Sequence, residues 1–304
     1  MIPATPHRRL APAAAAATAL AAATALAAAL TLGACSSPDD VEAEGAATEE
    51  TVGARTPEEI KEDGTIKIGS FSDKSPFGYV DENGEFAGYD IEFGERIAEE
   101  LGVELEWVPV AAQSRVEFLE SGKVDIILAN FTVTDERKEK VDFAGPYMTV
   151  SFGAVSPADA PVEEDDLDDA SIVIVKGTTQ DAWIEENQPD WDVTKYEQYN
   201  EVTSALRDGR GDVWITDNTE ALAFTADTDE FVTSIPNFGE ESSIAPAVAK
   251  GNDALRDWLD ELLLKLGEEE FFHEAFEKTL APVYGDVVEP EDLVVEGGQS
   301  SDVY

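Results

Sequence analysis

The chain has 304 residues, enough for one large domain or two smaller ones, and its 43% hydrophobic content supports a folded core rather than disorder. Its 66 acidic against 20 basic residues give a net charge of −46, which repels phosphate and excludes nucleic-acid binding. One cysteine and two histidines exclude an intramolecular disulfide, a four-cysteine zinc site and a histidine metal cluster; no metal or cofactor is expected.

Residues 1–34 read as a signal peptide. His7, Arg8 and Arg9 make a basic start, and Ala11 to Leu32 carries no charge. Leu32-Gly33-Ala34-Cys35 matches the lipobox pattern, in which the cysteine sulfur takes a lipid and anchors the chain to the outer face of the membrane. The uncharged run is also long enough for an uncleaved membrane-spanning helix, and both readings put the rest of the chain outside the cytoplasm. Residues 35–58 lack large apolar side chains and read as a flexible acidic tether.

From Glu59 onward, short apolar runs alternate with helical patterns. Thr65–Phe71 reads as a strand. Tyr89–Leu101 reads as a helix with Ile91, Phe93, Ile97, Ala98 and Leu101 near one face and Gly102 as its stop. Val103, Leu105 and Trp107 alternate as a strand, Arg115–Leu119 reads as a short helix, and Val124–Leu128 as a buried strand. A Pro/Ala/acid-rich stretch, 156–169, precedes a second series. Strands are expected at Ile172–Val175, Val193–Tyr196 and Val213–Ile215, with helices at Thr178–Glu186, Glu201–Leu206 and Thr219–Phe224. An amphipathic helix carrying Leu255, Leu259, Leu262, Leu263 and Leu266 follows, capped by Asn252 or Asp253. Residues 286–304 read as an acidic surface tail.

Strands alternating with helices make an α/β fold, in which ligands sit at the C-terminal ends of strands. Those ends carry Asn130, Thr132 and Arg137, then Gly177, Thr178 and Thr179, then Asp217. This set suits an α-amino acid zwitterion. A guanidinium, hydroxyls and free N–H groups meet its carboxylate, and an aspartate meets its ammonium. Each motif also has a plain structural use: Arg137 in a surface ion pair, Thr134 as a cap, Gly177-Thr178-Thr179 as a turn.

The segments Asp73–Phe77, Gly88-Tyr89-Asp90, Ser121–Asp125, Ala129–Arg137, Val141–Tyr147 and Lys176–Thr179 together resemble the family 3 extracellular solute-binding proteins of polar amino acid importers, over about 59–285. The resemblance implies a two-lobed periplasmic-binding-protein-like fold of type II, with two mixed sheets flanked by helices and a two-strand hinge. Lobe one would be 59–149 with 245–285, and lobe two 150–244. It further implies that Arg137 and Thr132 hold the ligand carboxylate from lobe one, Thr178 and Thr179 from lobe two, and that Asp217 holds the ammonium. Phe71, Lys74 and Phe77 would line the lobe-one wall, and Asn130 would act through its backbone carbonyl. Arg115 resembles a residue of the acidic-amino-acid and cysteine-binding subgroups. Ile126–Thr132, Phe271-Phe272-His273 and Val294–Gly298 look most like the cysteine-binding lipoproteins. The expected ligand is therefore cysteine or a similar small polar amino acid, with glutamate or aspartate next.

By the same resemblance, the chain works as a monomer that closes on its ligand and docks on an ABC permease with ATPase subunits. It carries no Gly-x-x-x-x-Gly-Lys-[Ser/Thr] loop of its own. The competing classes are a dehydratase-type enzyme on the same scaffold, with Glu220 or Glu240 as its acid, and a ligand-sensing receptor subunit.

Overall fold

A computed structural model describes residues 54–226 and 228–297. The expected signal peptide 1–34, Cys35 and most of the expected tether lie outside them. The end of that tether belongs to the fold instead. Thr56 caps helix α1 (Pro57–Asp63) in a capping box with Glu59, and Ile60 is buried beneath it. Arg55 donates to Asp125 at 2.8 Å and to Asp63 at 2.9 Å, which fixes the start of the helix.

The first lobe is built on five strands. Strand β1 (Thr65–Ser70) leads to a small antiparallel sheet, β2 (Asp73–Lys74), β3 (Gly78–Val80) and β4 (Phe86–Ala87). Helix α2 (Tyr89–Leu101) follows, then β5 (Glu104–Pro109), α3 (Arg115–Glu120), β6 (Ile126–Ile127), α4 (Asp135–Lys138) and β7 (Val141–Phe143). Ile91, Phe93, Ile97, Ala98 and Leu101 of α2 are buried, and Gly102 closes the helix at φ 72°. Gly94 lets α2 approach β5 closely, since a Cβ there would lie 2.2 Å from Trp107 Cη2. Each large apolar side chain so buried contributes about 1.5–3 kcal/mol, so packing rather than helix propensity holds α2.

The second lobe carries β8 (Met148–Pro157), β9 (Ser171–Val175), α5 (Thr179–Asn187), β10 (Asp192–Tyr196), α6 (Tyr199–Arg207), β11 (Val213–Asp217), α7 (Asn218–Ala226) and β12 (Phe231–Ile244). The chain then returns to the first sheet through β13 (Ala247–Ala249) and helices α8 (Asp253–Glu268), α9 (Phe271–Thr279) and α10 (Ala281–Tyr284). The sheet orders are β5-β1-β6-β13-β7 and β10-β9-β11-β8-β12. In each, the first three strands are parallel, as βαβ units require, and the others pair antiparallel. Two paired segments connect the lobes: Met148 and Thr149 lie opposite Ile244 and Ser243, and Tyr147 N–H donates to Ile244 O at 3.0 Å.

The expected tail is corrected as well. Its described part, up to residue 297, packs on the fold and includes α11 (Pro290–Leu293), with Leu293 buried. Val294 bridges Met148, and Val295 N–H donates to Tyr147 O at 3.1 Å. Glu296 is buried and accepts from His273 N–H at 2.9 Å. The acidic composition hid the two or three residues that find partners.

Acidic side chains such as Glu163, Glu164, Asp165, Asp166, Glu268, Glu269 and Glu270 are exposed. With a net charge of −46, self-repulsion opposes the compact state. Molar salt screens it. The melting temperature should therefore rise between 0.1 M and 2 M KCl; a flat or falling curve would leave the acid excess with no stability role.

Candidate ligand-binding cleft

The cleft is organised around Phe131. Beyond β6 the chain turns at Asn130, which is left-handed at φ 43°. Asn tolerates that conformation better than most residues. Buried Asp90 at the start of α2 fixes the turn, accepting from Asn130 N–H at 2.8 Å and from the Tyr147 hydroxyl at 2.6 Å. Burial pushes the Asp90 carboxyl up to about 6, against those two hydrogen bonds.

Arg115 and Arg137 both lie on the Phe131 ring, their guanidinium carbons 4.4 and 4.6 Å from its centroid. Arg115 donates to Ala112 O at 2.9 Å, Ala129 O at 3.0 Å and Asn130 O at 3.4 Å. Arg137 donates to Thr132 O at 2.7 Å. From the first lobe, both then reach the same atom of the second lobe: Arg115 Nη2 is 3.1 Å and Arg137 Nη2 3.2 Å from Gly177 O. Neither pairs with a carboxylate among the described residues. Burial pushes Arg115 down to about 10 and Arg137 well below its ordinary value, the Arg115 charge adding to the second shift. Buried Arg115 and half-buried Arg137, sharing one neutral carbonyl, lack an anion, and charges withdrawn from water are ordinarily paired.

Gly177 adopts φ 77°, and a Cβ there would lie 2.5 Å from Gln113 Cα across the cleft. Only glycine permits both the turn and the close approach. The Thr178 hydroxyl is already committed: it caps α5 by accepting from Asp181 N–H at 3.3 Å, and it donates to Val175 O at 2.8 Å. A contact from Thr178 to a ligand carboxylate would therefore come through its backbone N–H, the hydroxyl being held in the cap. Thr179 opens α5, where first-turn N–H groups have no intrahelical acceptor. Thr132 is buried beside Arg137 and engages it through its carbonyl. Gln113, Phe131, Arg137, Gly177, Thr178 and Thr179 line a cavity of about 360 Å³ between the lobes.

Asp217 ends β11 and faces the first lobe, but its carboxylate is not empty. Oδ2 accepts from Lys74 Nζ at 2.7 Å and Oδ1 from Gln180 Nε2 at 2.9 Å. Lys74 Nζ also donates to the Asn130 side-chain oxygen at 2.6 Å. Lys74 is fully buried, its ammonium 4.8 Å from the Tyr199 ring centroid, 5.4 Å from Phe77 and 5.9 Å from Phe71. Burial alone would lower its pKa, yet Asp217 foremost, then Tyr199 and Glu220, hold it above the ordinary value. Phe71, Lys74 and Phe77 thus come together around the Lys74 ammonium. Lys74, however, occupies the counter-charge position assigned to the ligand ammonium, and Asn130 contributes its side chain as well as its carbonyl. Gln180, Tyr199 and Asp90 were not singled out in the sequence.

Of the two candidate acids, Glu240 lies in β12 at the rim of a neighbouring cavity, whereas Glu220 is buried in α7. Burial pushes the Glu220 carboxyl up to about 8, opposed by Lys74 and reinforced by Asp217. A folded-state value above the ordinary 4.5 means that its stability contribution is present below about pH 4.5 and is lost as pH rises through about 8. Glu220→Gln should therefore match the parent in melting temperature near pH 4.5 and exceed it above pH 8, by on the order of a few kcal/mol. Equal melting curves at pH 9 would contradict a buried Glu220 whose ionisation costs stability.

Comparison with known proteins places this geometry. The family model of bacterial extracellular solute-binding proteins, family 3, matches residues 66–281. The solved structure of the solute receptor for L-cysteine of Neisseria gonorrhoeae is 44% identical, with a TM-score of 0.78, covering 80% of this chain and 100% of that one. The cysteine-binding protein of Campylobacter jejuni is 46% identical, with a TM-score of 0.78, covering 79% and 99%. The L-cystine-binding protein TcyJ of Escherichia coli is 28% identical over 199 residues, 64% of this chain and 75% of that protein. The chain therefore belongs to the family 3 bacterial extracellular solute-binding proteins.

Proposed function

We propose that this chain is the extracytoplasmic binding protein of an ABC-type importer, lipid-anchored through Cys35, and that it captures cysteine or a similar small polar amino acid by closing its two lobes. Glutamate and aspartate are the next candidates. The chief support is the convergence of Arg115 and Arg137 on Gly177 O with no carboxylate partner among the described residues. A ligand carboxylate would complete that site, and its contacts to both lobes would favour the closed state. Similarity to two cysteine-binding proteins supports the side-chain class. A few desolvated, charge-assisted hydrogen bonds suffice for micromolar affinity, about −8 kcal/mol. Transport energy would come from the partner ATPase.

The test is a thermal-shift and calorimetric screen of the standard amino acids and cystine against protein beginning at Cys35. Stabilisation by cysteine or another small polar amino acid is expected. A response confined to sugars or metals would remove this function. A dehydratase would use Glu220, a buried carboxyl pushed up to about 8 by burial. Turnover of arogenate by the purified protein would favour that reading; ligand-induced stabilisation without turnover favours the binder.

A further inference from the structure

The ligand's net charge can be inferred from the groups that enclose it. Buried Arg115 and Lys74 and half-buried Arg137 bring three cations to the closed cleft, while Asp181 on the cavity wall is already paired with Lys195, and Glu136, Lys176 and Glu185 are exposed at its rim. Asp217 and Asp90 bring two carboxylates, and both are already engaged: Asp217 by Lys74 and Gln180, Asp90 by Tyr147 and the Asn130 N–H. A zwitterion adds no net charge, so it would leave a buried excess cation behind. Such an excess is costly at low dielectric, and a ligand with one further negative charge removes it.

Lys74 is placed to meet that charge. Its ammonium has three N–H donors, and two are used, by Asn130 and Asp217. The groups around it are Asp217 on β11, Glu220 on α7, Tyr199 on α6, Asp90 on α2, Asp73 on β2 and Arg115 on α3. Tyr199 is pushed up to about 12 by burial and stays neutral, and Glu220 is uncharged at neutral pH. Neither competes for the third donor as an anion.

We infer that Lys74 is the specificity-determining residue of this cleft, and that the ligand is bound as its net anion, with a short side-chain anion facing the Lys74 ammonium. This deepens the amino-acid reading and rests on it. The anion is a thiolate if the ligand is cysteine and a carboxylate if it is aspartate. For cysteine, the thiol S–H bond breaks on binding and the proton passes to the buffer. A free thiol is mostly protonated at pH 7, so release should approach about one proton per site.

The experiment is titration calorimetry of the full chain at pH 7.0 in phosphate and in Tris, whose ionisation enthalpies differ. L-Cysteine should bind with release of about one proton, or L-aspartate should bind with none, and L-serine should bind roughly 100-fold or more weakly than the anion. Lys74→Met should lose proton release and the preference over serine; Lys74→Arg, which keeps the charge and spares Asp217 from being left unpaired, should retain both. Cysteine binding with no proton release, serine or cystine binding as tightly as the anion, or unchanged release in a folded Lys74→Met would overturn the inference while leaving amino-acid capture standing. No response to any amino acid would remove both.

Discussion

Arg137→Ala should weaken amino-acid binding by about 10³-fold, enough to erase ligand-induced stabilisation at millimolar ligand, while leaving the melting temperature of the free protein unchanged or raised. The side chain is half-buried, its guanidinium stacked on Phe131, and it holds the carbonyls of Thr132 and Gly177. Losing a charge-assisted hydrogen bond to a desolvated ligand carboxylate costs about 2–5 kcal/mol, part of it from leaving the carboxylate unmatched. The free protein behaves in the opposite sense. It loses a half-buried cation that has no carboxylate partner among the described residues, and such a group gives little or no net stability. A surface or purely structural arginine would not separate the two readouts in this way. Full binding by a folded Arg137→Ala would remove Arg137 from the site.

Asp217→Asn should do the reverse to stability. It leaves the Lys74 ammonium, with a side chain only 1% exposed, without its counter-charge. Breaking a buried pair by removing one partner costs about 3–5 kcal/mol, or on the order of 10 °C in melting temperature for a protein of this size. The double variant Lys74→Met with Asp217→Leu removes both charges and should recover most of that loss, because an apolar pair of similar volume is often as stable as the ion pair. Calorimetric melting of the two single variants and the double variant gives the coupling directly. An additive double variant would mean that the pair contributes nothing to the fold.

The parts of the fold that were legible carry complete local signals. Helix α2 announces itself by apolar spacing and Gly102, and α8 by its leucines and the Asn252 cap, whose side chain accepts from Leu255 N–H. Strands β8 and β12 gave no such signal. They pair residues more than seventy positions apart, with register shifts between Thr233 and Ser242, so their pairing is decided by tertiary contact. Helix α9 was hidden because only Glu269 and Glu270 separate it from α8, with Glu270 at φ 55°.

The same division holds in the cleft. Motifs near the strand ends named Arg137, Thr132, Asn130, Thr178, Thr179 and Asp217, and resemblance added Arg115, Lys74, Phe71 and Phe77. What they could not name was who bonds to whom. Lys74 and Asp217 are 143 positions apart, and only the folded chain brings them within 2.7 Å. Gln180 and Tyr199 read in sequence as an ordinary helical amide and a core aromatic. Their partners, Asp217 and the Lys74 ammonium, come from distant elements.

Seen from the outside of the molecule, the Val294–Val295 segment braces the two-strand connection on which the proposed closure would turn. It is pinned to Met148, the first residue of the strand that carries the chain from one lobe to the other, and to Tyr147 just before it. A fluorescent reporter attached close behind Gly297 would therefore pull on the opening motion it was meant to observe, whereas a protein shortened before Pro290 would swing on a looser pivot and trade affinity for speed.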